Sequence, residues 1–414
     1  MATVRPFRAL RPEPALASQV ISLPYDVMNR EEAAAMAKGN PHSFLHICRS
    51  EIDLPEVSDP YQDVVYEKAR TNIADFLSRG TLLAEEKPMF YLYQQIMDGR
   101  SQLGIVGCAS IDEYLNDTIK KHEFTRVEKE LDRIRHFDVC DTNTEPVFLT
   151  YRDDARIRTI CEGWTQSHAP VYDFQSADGI RHTLWTVEDD KTIQNLVKLF
   201  GEINAMYIAD GHHRSASAVK VGLKRREEHP DYTGSEEFNY FMAVIFPDAD
   251  LKIFDYNRVV KDLAGLSKDA FLARLAEVFE ISDPQAEVIR PDSKHVFSMF
   301  LDGSWYRLKV KPDLVRENDI IKSLDVSILQ DLVLGPILGI QDPRTDKRID
   351  FVGGIRGLGE LERRVKEDMA VAFALYPVVI GDLLAVSDQG MVMPPKSTWF
   401  EPKLGSGLFL HPLS

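Results

Sequence analysis

The sequence predicts an α+β protein, a mixed α/β layout built on a mixed sheet. Segments with helical spacing alternate with short apolar runs along the whole chain. Several neighbouring runs are joined by tight-turn pairs, Asp98-Gly99 and Asp302-Gly303 foremost, which link antiparallel strands. Hairpins of this kind argue against a purely parallel, doubly wound sheet.

Taken in order, "QVISLPYDVMN" reads as a short buried strand entering a turn. "REEAAAMAKGN" reads as a helix stopped by Gly39 and Asn40. Val64, Val65, Ala69, Ile73 and Phe76 recur at helical spacing before Gly80. "MFYLYQQIMDGRSQLGIVGCASI" is a hairpin, and the second half of "HEFTRVEKELDRIRHFDVC" is helical. "PVFLTYRD", "APVYDF", "RHTLWTVED" and "AMYIAD" are strands, with helices at "DARIRTICEGWTQ", "KTIQNLVKLFGEI" and "HHRSASAVKVGLKRREE". "FNYFMAVIFPDADLKIFDYNRVV" resembles a further hairpin turning at Pro247–Asp250. After Lys261 come a helix with Ser267 as N-cap, a hairpin at Asp302-Gly303, an apolar helix in "SLDVSILQDLVLGPILGI", the strand "VAFALYPV" and an irregular tail. "FVGGIRGLGELE" reads as strand, turn and helix. The division expected is a core over 1–260 and a C-terminal α/β region over 261–414.

Lys and Arg total 49 against 65 Asp and Glu, a formal charge of -16. A surface so acidic repels a nucleic-acid backbone, and no basic patch compensates. No apolar run reaches the roughly 20 residues a membrane span needs. The N-terminus lacks the apolar centre of a signal peptide. The expectation is a cytoplasmic protein with a small-molecule ligand, no nucleic acid and no membrane, its oligomeric state left open. Cys48, Cys108, Cys140 and Cys161 match neither zinc nor disulfide spacing and read as buried reduced thiols.

The chemistry concentrates in "YIADGHHRSASAV". A strand delivers Asp210 to the sheet edge, Gly211 permits close backbone approach, and a helix starts near His212. Helix N-termini attract anions through unpaired N–H groups and the macrodipole. His213 and Arg214 add donors, and Arg can hold two phosphate oxygens. A plain N-cap role for Asp210, worth about 1 kcal/mol, leaves Gly-His-His-Arg without a purpose. Adjacent histidines point roughly 100° apart on a helix, which disfavours a shared metal ion.

"ADGHHR", "SLPYDVM", "FNYFMAVIFPDADLKIFDYNRVV", "LDVSIL" and "MVMPPKSTWFEPKLGSGL" resemble, in order, the bacterial and archaeal domain-of-unknown-function family 1015. The resemblance runs from about Phe7 to His411. The D-G-H-H-R turn is also similar to the phosphate-binding turn of the ParB/sulfiredoxin superfamily, whose free-serine kinases carry D-G-H-x-R. That local likeness implies a ParB/sulfiredoxin-like nucleotide-binding core. Sulfiredoxin chemistry needs a cysteine at this turn, absent here, and DNA partition needs a helix-turn-helix module, also not found.

The reading reached is nucleotide-dependent phosphoryl transfer to a small hydroxylated amino acid, serine being the leading candidate. Gly211, His212, His213 and Arg214 would cradle phosphates, Asp210 would hold magnesium or orient the acceptor, and Asp26 would serve as base. ATP or ADP with Mg is the expected cofactor set. His122, Glu123, Thr125 and Arg133 form a candidate flap, and Lys396, Ser397, Thr398 and Lys403 a candidate closing segment, both for substrate. The alternatives are a non-catalytic nucleotide-binding regulatory module and a phosphatase of a metabolite such as phosphoserine.

Overall fold

Residues 1–414 are described by a computed structural model, in which the apolar runs of the sequence pair into two large sheets. One sheet belongs to a unit formed by Met1–Leu251 and Pro402–Ser414, the other to a unit formed by Lys252–Glu401. The chain thus changes unit at Leu251, not at 260, and its last residues return to the first unit.

The first unit carries a nine-stranded mixed sheet. Phe90–Met97 and Arg100–Ser110 form its central hairpin, closed by Asp98 and Gly99 at φ 51° and 76°, the backbone shape that suits strand twist. Tyr240–Pro247 runs antiparallel to Arg100–Ser110 and parallel to Val147–Tyr151. Met206–Asp210 lies next, antiparallel to Val147–Tyr151 and parallel to Ile119–Lys120. Arg181–Val187 and Tyr172–Gln175 complete the other side. The Val147–Tyr151 strand is buried throughout, in keeping with its largely apolar side chains, and its Thr150 hydroxyl donates to the Phe246 carbonyl at 2.9 Å. The last residues are stitched in by Ser22 to Ser406, Leu10 to Leu410 and His411 to Asn143.

Two sequence expectations are corrected. Pro247–Asp250 does not close a hairpin. Tyr240–Pro247 pairs only within the first sheet, while Tyr256–Val260 pairs with Ile349–Gly353 and Val371–Ala374 in the second. The turn has no residue at positive φ and forms a single 3-10 turn instead. "QVISLPYDV" is not a strand either. Ala17–Val20 is helical, Ser22 makes one bridge to Ser406, and Tyr25 and Asp26 lie in a turn. Pro24 lacks an N–H and restricts Leu23, so a ladder cannot continue.

The second unit holds a six-stranded antiparallel sheet in the order Phe279–Ile281, Ser304–Val310, Val296–Leu301, Val371–Ala374, Tyr256–Val260, Ile349–Gly353. Leu358 and Leu361 pack with Val259, Phe300 and Trp305 to form its core. Ser267 caps the Lys268–Val278 helix as expected, its hydroxyl accepting from the Ala270 N–H at 3.2 Å. "LDVSIL" becomes a short helix, Asp325–Leu329, which widens to π geometry over Gln330–Leu334.

All four cysteines are buried and unpaired. No helix is long and apolar enough to cross a membrane.

The helix that follows Asp210, His212–Glu228, packs against Val127–Cys140 and over the Glu237–Asn239 turn. A β-carbon at Gly222 would stand 2.4 Å from the Phe238 carbonyl oxygen and 2.7 Å from Ile111. Alanine raises helix propensity by up to about 1 kcal/mol over glycine, but here the backbone must shift, at a cost of about 1–3 kcal/mol. Gly222→Ala is therefore expected to lower the urea midpoint; a raised midpoint would contradict the packing described.

Candidate functional site

The register of the Met206–Asp210 strand slips between Ile208 and Asp210. Such an irregularity ends pairing and re-aims a side chain. Gly211 follows at φ 93° and ψ 31°, a left-handed conformation, and the helix begins at His212 without a side-chain cap. The first-turn N–H groups are therefore not used by a capping residue. A β-carbon at Gly211 would lie only 3.0–3.2 Å from the Arg214 guanidinium, which folds back over this position. Glycine is needed there for its φ and for the space.

Arg214 is 2% exposed and donates to Asp210 Oδ2 at 2.7 Å and to the Pro146 carbonyl at 2.5 Å. Lys403, 193 positions along the chain, brings Nζ to 3.4 Å from Asp210 Oδ1. The Lys403 carbonyl is fixed by the Gln95 side chain at 2.8 Å. Burial would push the Asp210 carboxyl up, yet Lys403 and then Arg214 overcome it and hold its pKa at about 2. One-third of the Asp210 side chain still faces solvent. Arg214 itself is not a free phosphate clamp, because its NH1 and NH2 groups are committed to Pro146 and Asp210.

The histidines divide. His212 turns inward and meets His122 edge to face, with centroids 4.5 Å apart. The His122 backbone N–H points at His212 Nε2 at 3.4 Å. Neither ring nitrogen of His122 completes a hydrogen bond. Burial, against a pull from Asp210, lowers the His122 pKa to about 4, and burial with His122 beside it lowers His212 well below its usual value. His213 turns outward, its Nε2 accepting from the Arg126 N–H at 2.9 Å. Its pKa falls through burial, opposed by Asp26.

Asp26 sits exposed in its turn, and its charge raises the pKa of Arg214, after Asp210 does so. The turn is anchored from beneath. Arg133 stacks on the Tyr25 ring at 4.0 Å, bonds Asp132 at 2.9 Å and reaches Glu145 at 3.4 Å. Glu145 also accepts from the Tyr25 N–H at 3.2 Å and the Ser406 hydroxyl at 3.0 Å. Burial raises the Glu145 pKa, with Arg133 and Arg214 working against the rise.

Of the residues singled out from sequence, the structure gathers Asp210, Gly211, His212, His213, Arg214, His122 and Lys403. Glu123 stands 4.0 Å from His212 Nδ1. The remainder are placed otherwise. Arg133 is 4% exposed, its guanidinium held by Asp132 and Glu145. Thr125 donates to Glu130 at 2.6 Å, and the segment from Val127 onward is a packed helix, not a flap. Lys396, Ser397 and Thr398 belong to the second unit, where Arg258 donates to the Lys396 carbonyl at 3.0 Å and Ser397 donates to the Pro394 carbonyl at 2.5 Å. Glu145 and Tyr25 escaped the sequence analysis, because nothing in "NTEPVF" separates a buried acid from a loop residue.

No group of three or more His, Cys, Asp or Glu side chains is arranged to hold a metal. Magnesium at Asp210 fits poorly, since each carboxylate oxygen already faces a cation.

The buried histidines set a pH dependence. The unfolded chain takes up a proton at His122 near its ordinary value of 6.5, whereas the folded chain refuses it until about 4. The stability this residue contributes is complete above that upper value and is lost as pH falls through the window. The urea midpoint is expected to drop between these two pH values, and less steeply in His122→Phe; an equal slope in both proteins would contradict the assignment.

No curated protein matches the chain. Solved structures similar to it include a free serine kinase mutant in complex with AMP, 13% identical over 74% of this chain and 92% of that one, with a TM-score of 0.37. SbnI with a C-terminal truncation, from Staphylococcus aureus, is 12% identical over 74% and 87%, TM-score 0.39. A conserved hypothetical protein from Pyrococcus furiosus is 15% identical over 74% and 95%, TM-score 0.37. Likeness this loose carries no argument about ligands or reaction. The family model described as protein of unknown function, DUF1015, matches residues 4–327, more than half of the sequence, and the chain belongs to that family.

Proposed function

We propose that the Asp210 site binds a nucleotide, ATP or ADP, by its phosphates and transfers a phosphoryl group to a small hydroxylated amino acid, serine first among candidates. The observation that carries the reading is the meeting of Lys403 with Asp210 at the uncapped start of the His212 helix. Helix-start N–H groups and an ammonium together suit phosphate oxygens. Gly211 keeps the backbone open to close approach. Asp210 stays ionised and positions Lys403, while the backbone around His212 and His213 supplies donors.

In the step envisaged, the acceptor hydroxyl oxygen bonds to the terminal phosphorus as the bond from that phosphorus to the bridging oxygen breaks. The leaving nucleotide carries away one phosphate fewer. The hydroxyl proton passes to Asp26, whose exposed carboxylate lies within the electrostatic reach of His213 and Arg214. Most of the rate gain in such a reaction comes from alignment and charge neutralisation, which a fixed Lys403 supplies. A second reading is nucleotide binding without turnover, for which the Lys403 ammonium and the uncapped helix start suffice without any base.

The test is incubation with ATP or ADP and a panel of free hydroxyamino acids, with mass spectrometry of the products. Phosphoserine is expected, reduced about a hundredfold or more in Lys403→Met and strongly in Asp26→Asn. A nucleotide-dependent thermal shift without product from any pairing would select the non-catalytic reading. No product and no nucleotide binding would overturn both.

A further inference from the structure

The second unit contains a cavity of about 400 Å³ unrelated to the Asp210 turn. Its size falls within the range of small-molecule sites, about 300–1,000 Å³. Asp325, the acid of the "LDVSIL" segment, lines it together with Lys294, His295, Asp382 and Tyr376. Ile320, Leu324 and Val378 supply apolar wall.

Asp325 is 7% exposed and only half explained by the fold. Its Oδ1 accepts from the His295 N–H at 2.9 Å. That bond holds His295 at φ 66°, an uncommon conformation for a residue with a side chain, with help from the His295 ring on the Ser323 carbonyl at 3.1 Å. Oδ2 has no partner at all and is buried. An acceptor left alone in a dry place costs about 1–3 kcal/mol, and more when charged. Such an atom in a cavity wall calls for a donor.

The charge around it points the same way. Lys294, the cation of the lining, is spent on Asp382, meeting its two oxygens at 2.8 and 2.7 Å. Asp325 and Glu317 are left without a counter-charge in the lining. Burial, with Asp382 adding to it and His295 N–H and Lys294 opposing, raises the Asp325 pKa to about 7; a bound cation would reverse that rise. A metal ion is disfavoured, because no three ligating side chains converge.

We propose that this cavity binds a small organic cation, a primary ammonium group on a short aliphatic body, with the ammonium donating to Asp325 and the body lying on Leu324 and Val378. The site is independent of the phosphoryl-transfer reading, and its ligand is of opposite charge to the one expected at Asp210.

Calorimetric titration of the full chain with 1,4-diaminobutane, butane-1,4-diol and magnesium chloride tests it. The diamine is expected to bind, the diol and magnesium not. Asp325→Asn keeps an oxygen for His295 and removes the charge, and should weaken diamine binding at least about tenfold. Absent diamine binding, equal binding of the diol, a stronger response to magnesium, or undiminished binding by Asp325→Asn would each overturn the proposal. Should that variant not fold, Val378→Trp, which fills the cavity and leaves the acid in place, is expected to abolish diamine binding, and retained affinity would overturn the assignment equally.

Discussion

A carboxylate at the end of a strand, next to a packed core, survives only if its charge is matched, and the architecture around Asp210 follows from that requirement. One counter-charge comes from the same turn: Arg214 folds back over Gly211 and is tied to Asp210 and Pro146. The other comes from Lys403, close to the end of the chain. Lys403 can stand there only because the tail is threaded through the first unit, bridged at Ser22, Leu10 and Asn143. A buried charged pair adds little net stability, but a buried charge deprived of its partner is strongly destabilising. Fixing the tail and fixing the site are thus one constraint.

The same economy operates one layer down. Glu145 joins the Tyr25 backbone, the Ser406 hydroxyl and Arg133 at one carboxylate. It thereby locks the turn that carries Asp26 to the tail that carries Lys403. Arg133 spends its flat face on Tyr25 and its edges on Asp132 and Glu145. Their part is to hold two positions, far apart in sequence, in fixed relation, which is what the alignment-dependent chemistry proposed for them would demand.

Much of this was legible in the residues. Periodicity located the longer helices and strands of the first unit but not short ones such as Leu45–Cys48, Ile111–Leu115 and Ile119–Lys120, and the Asp98-Gly99 and Asp302-Gly303 pairs located their hairpins. The strand-glycine-helix turn at Asp210 could be read outright, because each residue type there has a local physical reason. What could not be read was pairing between distant segments. Tyr240–Pro247 and Tyr256–Val260 look like hairpin partners until other strands are found to occupy their edges. The short helix Ile380–Asp388 went unseen beside the stronger strand pattern of "VAFALYPV". A sequence shows that a cation such as Arg133 is present, not that Asp132 and Glu145 already hold it. Glu145 shows the converse, since its burial is set by Tyr25 and Ser406, more than a hundred positions away on either side.

Net charge is a poor guide to what each site accepts. The chain carries -16 overall, yet the Asp210 turn sets an uncapped helix start beside an ammonium, while Asp325 offers an unmatched acceptor. The distinction lies in which atoms the fold leaves unfinished. At Asp210 each carboxylate oxygen already faces a cation, and what the fold leaves unused is the N–H groups of the uncapped helix start. At Asp325 the nearby cation is consumed by Asp382, so the surplus is an acceptor. Long-range fields steer ligands toward a surface, but desolvated atoms without partners decide what stays bound, because their penalty is removed only by a group of complementary kind. On that reasoning the two sites proposed for one acidic chain would select ligands of opposite charge.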